Sequence, residues 1–391
     1  MISLAEAKKL FSPYRVWVLA PQISAADANI DYYYDFSQSI AEYTSVFDEL
    51  QVPWQWQPVT LTDYKEIIKR IKDSEHSGPV PLVLNLCDGD EINGAPGVSV
   101  IRELDRHRLI YTGADTHFYI ITTSKIPMKK AFDKGGVPHA AWRVISGSRG
   151  ALKGLANRIG TPMIIKPAVS GGSMGVGVKN VVDSEAALAE RIKEIERGYR
   201  GWNLLADGLF VERFITGREF TTFITGSADD PEACSVYDPV ERVFHPSLPD
   251  TQKFLSFDRL WEIYEEETAM PENENFYEYK HVRAELSLRL KEVSRLAYAA
   301  CGGKGYGRLD IRMDDKTGEL YVLEVNAQCG LSEDENYTSI GAIIKASGVS
   351  YTTVISEILK DALRRSAKKE MADPQKRVAT VKKRTLKKVK K

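Results

Sequence analysis

No stretch of the 391-residue sequence is apolar for long enough to cross a bilayer, so no membrane-spanning helix is expected. The four cysteines, Cys87, Cys234, Cys301 and Cys329, have no paired spacing, which leaves no basis for a disulfide framework or a cysteine zinc site. A reducing, cytoplasmic setting is the plain reading. Neither Gly-x-x-x-x-Gly-Lys-Ser/Thr nor Gly-x-Gly-x-x-Gly occurs, so the phosphate-binding loops with the best-known spacings are absent. The segment MISLAEAKKLFSPYRVWVLAPQ holds only the short run VWVLA, which reads as a first β-strand rather than a signal peptide. No internal repeat is found.

The formal net charge of −1 conceals an asymmetry. Residues 364–391 hold thirteen Lys or Arg against Glu370 and Asp373, a net of +11 that leaves −12 for the rest. A run ending KKRTLKKVKK buries little and repels itself, so residues 365–391 read as a disordered basic tail. It is either a nuclear or nucleic-acid signal or a solvated end. The acidic body argues against a nucleic-acid partner.

A hydrophobic content of 43% supports real cores, and the length suits two or three domains. Strand-like and helix-like runs alternate from YRVWVLA to LIYTG, the punctuation of an open α/β domain over residues 1–124. Ligands of such sheets sit beyond the C-terminal ends of strands, where Asp88, Asp90 and Glu91 follow LVLNL. They read either as substrate contacts or as a solvated turn. A central unit, 125–211, holds the helix SKIPMKKAFDKGG, the strand carrying Lys166 and a helix from Glu185. A third, 212–364, opens with LFVERFITGREFTTFI, expected to be a hairpin turning at Thr216–Gly217. It includes a polar excursion, 245–282, too long for an ordinary loop and so functional or locally helical.

GRLDIRM and YVLEVNA carry the most chemistry. With period 2, Leu309, Ile311 and Met313 face one way and Arg308, Asp310 and Arg312 the other; Tyr321, Leu323 and Val325 oppose Glu324 and Asn326. If the apolar sets share the core, Arg308, Asp310, Glu324 and Asn326 share the opposite face. Two carboxylates and an amide oxygen are hard ligands suited to Mg²⁺, with Mn²⁺ as a substitute. Mg²⁺ beside an arginine implies phosphate. Lys166 leaves an apolar strand directly into SGGSMGVG, a segment whose glycines let backbone N–H groups fold over phosphates.

The order and spacing of these pieces resemble the ATP-grasp superfamily, specifically D-alanine–D-alanine ligase and its relatives, from about residue 83 to 362. The resemblance implies a three-domain α/β (α+β) ATP-grasp fold with a Rossmann-like N-terminal domain, and relatives are often homodimers through that domain. It implies ATP as cofactor and small amino acid-like carboxylate and amine substrates, joined through an acyl-phosphate. Lys129, Lys166 and Ser173 would contact the nucleotide, and glycine-loop N–H groups at Gly172 and Ser173 would hold the developing oxyanion together with Arg308. FVERF would supply the hinge, Glu212 accepting from the adenine amine beside the Arg213, Phe214 and Ile215 backbone. Glu219 matches the ribose carboxylate, Arg308 the oxyanion-stabilising arginine, and Asp310, Glu324 and Asn326 the metal ligands.

The sequence departs from the family around the substrate. SGGS replaces the usual Glu-Gly-Ser-Ser, so Ser170 and Gly172 stand for an acid and a serine. Cys329 stands for a proline, and Leu260 and Trp261 for a Lys-Tyr pair in the lid. Glu335, beside Asn336, replaces a serine that meets the second substrate's carboxylate. A bare carboxylate there would repel another, so at least one partner other than D-alanine is expected. The alternatives are a true D-alanine–D-alanine ligase, a non-catalytic ATP-binding regulator and a phosphoryl-transfer enzyme.

Overall fold

The computed structural model describes residues 1–23, 35–145, 152–265, 267–336 and 338–372. The Tyr-rich connection after the first strand and the run KKRTLKKVKK lie outside the described residues.

After helix α1 (Leu4–Phe11), strand β1 (Tyr14–Pro21) begins the N-terminal sheet. Helix α2 (Ser37–Leu50), β2 (Trp54–Val59), α3 (Tyr64–Asp73), β3 (Val80–Asn85), α4 (Val98–Arg106) and β4 (Ile110–Tyr111) follow. The order is β2-β1-β3-β4, and its pairings are parallel. VWVLA reads as a continuous apolar run because both faces are covered. Trp17 and Leu19 enter one core, and Val16 and Val18 enter another that includes α2 and the C-terminal helices.

Helices α5 (Thr116–Thr123) and α6 (Lys125–Gly135) lead to the central sheet. Its elements are β5 (Trp142–Ile145), α7 (Leu155–Ile159), β6 (Met163–Pro167), β7 (Val181–Val182), α8 (Glu185–Glu196) and β8 (Leu209–Arg213). The strand order is β5-β8-β6-β7, so Lys166 and Glu212 occupy adjacent strands.

The expected hairpin around Thr216–Gly217 does not form. Strand β9 (Gly217–Thr225) belongs to a different sheet, of order β12-β11-β9-β13-β14 with β10 (Ser235–Val236) pairing β9. Residues 214–216 therefore cross between sheets, a geometry that turn chemistry alone cannot distinguish from a two-strand reversal. Strand β11 (Val240–Phe244) enters the excursion, which contains helix α9 (Phe257–Trp261) and returns as β12 (Tyr277–His281), antiparallel to β11.

Helix α10 (Ala284–Ala300) precedes β13 (Tyr306–Asp314) and β14 (Leu320–Ala327). Their pairing sets Arg308 opposite Asn326 and Asp310 opposite Glu324, but the register shifts before Ile311 pairs with Val322. Leu320, Val322 and Val325 thus fill the core with Leu309 and Ile311, in place of the expected Tyr321 and Leu323. One extra residue on a strand inverts every later side chain, and period-2 counting cannot anticipate it. Helices α11 (Ser339–Ser347) and α12 (Tyr351–Ala372) close the described chain. The basic tail was expected from residue 365, yet α12 runs to 372, with Arg365 on Asp361, Lys368 on Asp230 and Lys369 on Asp105. These positive charges are balanced by an acid of the helix itself and by two from elsewhere in the fold.

Candidate active site

One residue clamps the N-terminal sheet to the end of β14. Gln328 Oε1 accepts from Ala114 N at 2.7 Å, and its Nε2 donates to Asn85 O at 2.7 Å. A Cβ on Gly113 would lie 1.5 Å from Gln328 Oε1, so the close approach requires glycine. The C-terminal end of β3 and the face carrying Asn326 are thereby held together.

On that face Asn326 Nδ2 donates to Glu324 Oε1 at 3.0 Å and to Asp310 Oδ2 at 3.3 Å. Arg308 Nη2 donates to Asp310 Oδ2 at 3.0 Å. Burial would raise the Glu324 carboxyl, but Lys125, Arg308 and Lys166 outweigh it and hold the group down to about 2. Asp310 moves the other way: burial raises it, against Arg308 and Arg242. Two carboxylates and an amide fit a hard divalent cation, and the adjoining cations lessen the cost of gathering them.

On the central sheet Lys166 Nζ donates to Glu212 Oε1 at 2.9 Å, and Lys129 Nζ lies 2.7 Å from Oε2 at an angle outside hydrogen-bond geometry. Glu212 and Lys129 are 2% and 1% exposed, so this is a buried charge cluster and not surface decoration. Burial pushes Glu212 upward, yet the two ammonium groups hold it at about 2. Lys129 is lowered, by burial first and by Lys166 as well. The Glu212 carboxylate thus serves the lysines and does not lie open at the hinge as expected.

Lys125, which sequence reading missed, links the carboxylate face to the glycine loop. Its Nζ lies 3.2 Å from Glu324 Oε2 and 3.5 Å from Ser170 O in the glycine loop. The available signal was its spacing: Lys125 and Lys129 are one helical turn apart and share a face of α6.

The glycine loop and the excursion are already in contact. Gly172 (φ +56°) and Ser173 (φ +60°) are left-handed. Trp261 Nε1 donates to Gly172 O at 2.9 Å, Ser173 Oγ to Leu255 O at 3.0 Å, and Phe257 N to Val176 O at 2.8 Å. Arg259 and Glu267, both buried, pair at 2.9 Å and brace the excursion from within.

The residues expected to form the nucleotide hinge divide. Phe214 packs edge-on to Phe254 with centroids 5.7 Å apart, while Arg213 turns away to Asp314 at 3.0 Å and over Tyr321. Ile215 O accepts from Arg312 Nη1 at 2.6 Å. Glu219 is held by Arg312 and Arg242, which overcome the effect of burial and lower its pKa. Asp88 opens to solvent after β3, where crowding by the protein raises its carboxyl to about 6, with Asp90 adding to the shift. Glu335 does not stand bare: Lys345 Nζ lies 2.7 Å away, and both side chains are largely exposed. Asn336 is exposed and donates its backbone N–H to Asp334. Glu42, on α2, was missed: it is 4% exposed and accepts from Ser332 Oγ at 2.6 Å, joining α2 to the loop after β14.

A three-sheet fold that gathers lysines, a glycine loop and a carboxylate face is that of an ATP-grasp ligase, an enzyme of the C–N bond-forming class. A family model described as D-ala D-ala ligase C-terminus matches residues 132–360, and the chain belongs to that D-alanine–D-alanine ligase family. It is similar to D-alanine–D-alanine ligases of Marinobacter nauticus (29% identity over 65% of this chain and 67% of that one) and Xanthomonas axonopodis pv. citri (26%, 72% and 78%). The fold resembles that of the Bacillus anthracis D-alanine–D-alanine ligase complexed with ATP (TM-score 0.61, 18% identity, 91% of this chain and 99% of that one). It also resembles the Coxiella burnetii enzyme (TM-score 0.62, 15%, 92% and 98%). The chain is therefore an ATP-dependent carboxylate–amine ligase. Among the described residues no helix is long and apolar enough to cross a membrane.

Proposed function

We propose that the chain forms a peptide bond between two amino acids of the D-alanine type by way of an acyl-phosphate. The supporting observation is Lys125, which touches Glu324 on one side and the glycine-loop carbonyl of Ser170 on the other, so phosphate-binding and metal-binding groups adjoin one cleft. A carboxylate oxygen of the first substrate attacks the γ-phosphorus of ATP and ADP leaves. The amine of the second attacks the acyl carbon, phosphate leaves, and the amine's proton is lost. Lys129 and Lys166 spread the charge of the transferring phosphoryl group. Arg308 holds the oxyanion of the tetrahedral adduct, and N–H groups of Gly172 and Ser173 lie over the phosphates. Asp310, Glu324 and Asn326 would hold Mg²⁺, which neutralises phosphate charge when bound. Trp261 over Gly172 shields the acyl-phosphate from water.

D-Alanine is favoured for both partners because relatives spanning most of the chain are named D-alanine–D-alanine ligases. The contrary expectation leaned on Glu335, whose charge is met by Lys345. A second reading, with one partner other than D-alanine, draws on Trp261 and the 40% exposed Leu260, which line the lid where the family's Lys-Tyr pair falls. The test is MgATP-dependent phosphate release with D-alanine alone and then with paired acids and amines, alongside mass detection of product. Lys166→Ala and Glu324→Ala serve as controls. D-Alanyl-D-alanine at ordinary micromolar-to-millimolar KM supports the first reading. Product that forms only with another partner establishes the second.

A further inference from the structure

Among the described residues Arg312 is the largest side chain that is fully buried, at 2% exposure. On β13 it pairs in register with Glu219 of β9. Its Nε and Nη2 donate to Glu219 Oε2 at 3.0 and 2.9 Å, its Nη1 to Ile215 O at 2.6 Å, and Nη2 also reaches Lys253 O. The guanidinium carbon lies 4.7 Å from the centre of the Phe214 ring. Four of the five donors of the guanidinium are thus engaged. One side chain joins the hinge, the sheet and the entry to the excursion.

Charge balance does not demand this arrangement. Arg242 already meets Glu219 Oε1, so the carboxylate has a partner without Arg312. Burying a second cation there is costly unless other bonds offset it, and here the offset comes from the backbone carbonyls of residues 215 and 253. Beside this knot Ile164, Val176, Phe214 and Phe254 form a closed apolar cluster. Ile215 O, the Glu219 carboxylate and one face of Phe214 are thus engaged by the protein's own guanidinium.

We propose that Arg312 sets nucleotide affinity: its guanidinium engages Ile215 O, the Glu219 carboxylate and one face of Phe214, so a nucleoside bound along residues 212–219 must compete with it for them. The inference rests on the reading of residues 212–219 as the nucleotide hinge. Binding requires Arg312 to release Ile215 O and Lys253 O, which frees the excursion from the hinge as the nucleotide enters. Apparent affinity falls by the fraction of molecules in which that release has occurred.

The experiment is calorimetric titration of the full chain with MgATP, for the wild type, Arg312→Met and Arg312→Lys, with Lys166→Ala in each background. Methionine has similar reach and no donors, and Glu219 keeps Arg242, so no buried carboxylate is orphaned. Arg312→Met is expected to bind ATP at least about tenfold more tightly. Arg312→Lys, which loses the fork, moves the same way and serves if the methionine variant does not fold. Unchanged or weaker binding in a folded variant overturns the proposal, because a purely structural tether would lower Tm without tightening ATP. Lys166-dependent binding that neither variant tightens removes only the role of Arg312. Failure of wild type and variants alike to bind ATP removes the hinge reading, and this proposal with it.

Discussion

Lys166 Nζ lies 2.9 Å from Glu212 Oε1, across adjacent strands of the central sheet, with Lys129 on the other oxygen of the same carboxylate. Two ammonium groups, proposed above to meet phosphate, are kept in place by one buried acid. Glu212→Gln would leave Lys129, 1% exposed, without a counter-charge. Breaking one side of a buried ion pair costs about 3–5 kcal/mol, and that loss is expected in urea unfolding at neutral pH. The variant is also expected to bind ATP more weakly, as the lysines lose their fixed positions.

The same carboxylate predicts a pH dependence. Glu212 is held at about 2 in the fold, below its ordinary 4.5. A depressed carboxyl contributes stability above its unfolded pKa and loses it as pH falls towards the folded value. The stability difference between wild type and Glu212→Gln is therefore expected to be constant from pH 7 to about 5.5 and to shrink steadily towards pH 2. Taking the difference cancels Asp88, whose raised carboxyl acts in the opposite direction. A difference that does not change between pH 7 and pH 3 would show that Glu212 contributes no proton-linked stability.

Trp261 over Gly172 predicts a leak. A Cβ on Gly172 would lie 3.0 Å from the indole, and φ there is +56°, so glycine best suits the contact between lid and loop. Trp261→Phe keeps the ring and removes the bond to Gly172 O. One such bond is worth about 1 kcal/mol, so a several-fold rise in lid opening is expected. The measurement is phosphate released per peptide formed: the ratio should rise above one in the variant, with Tm within a few degrees of wild type. A ratio fixed at one would mean that water is excluded by something else.

The alternating strands and helices of the N-terminal sheet were legible because buried parallel strands read as apolar runs. The facing of Asp310, Glu324 and Asn326 followed from period-2 counting near the start of β13 and the end of β14. The count failed beyond the register shift, where Val322 displaces Tyr321 and Leu323 from the core. Glu212 was placed at the hinge, but which charges its carboxylate meets depends on strand order in three dimensions. Arg312 stood in plain view on the Asp310 face. What makes it matter is contact with Ile215 and Lys253, which are 97 and 59 residues away in the chain. The extent of α12 was hidden by its own charge, since partners such as Asp105 and Asp230 lie far off in sequence.

Glu335 supplies a test of one ground for a partner other than D-alanine. If it faced the second substrate, Glu335→Ser should lower the KM for D-alanine by an order of magnitude or more, because one carboxylate would no longer repel another. The geometry predicts otherwise: Glu335 is 40% and Lys345 70% exposed along their side chains, and their 2.7 Å pair lies in solvent. Exposed pairs contribute about 0–1 kcal/mol, so Glu335→Ser is expected to change Tm by no more than a few degrees and KM for D-alanine by less than about threefold. Lys345→Ala supplies the sharper test. It frees the Glu335 carboxylate without altering it, so KM for D-alanine should again stay within about threefold if Glu335 lies outside the substrate's reach. A large rise in KM in Lys345→Ala, reversed by adding Glu335→Ser, would put Glu335 back against the acceptor carboxylate and favour a partner other than D-alanine.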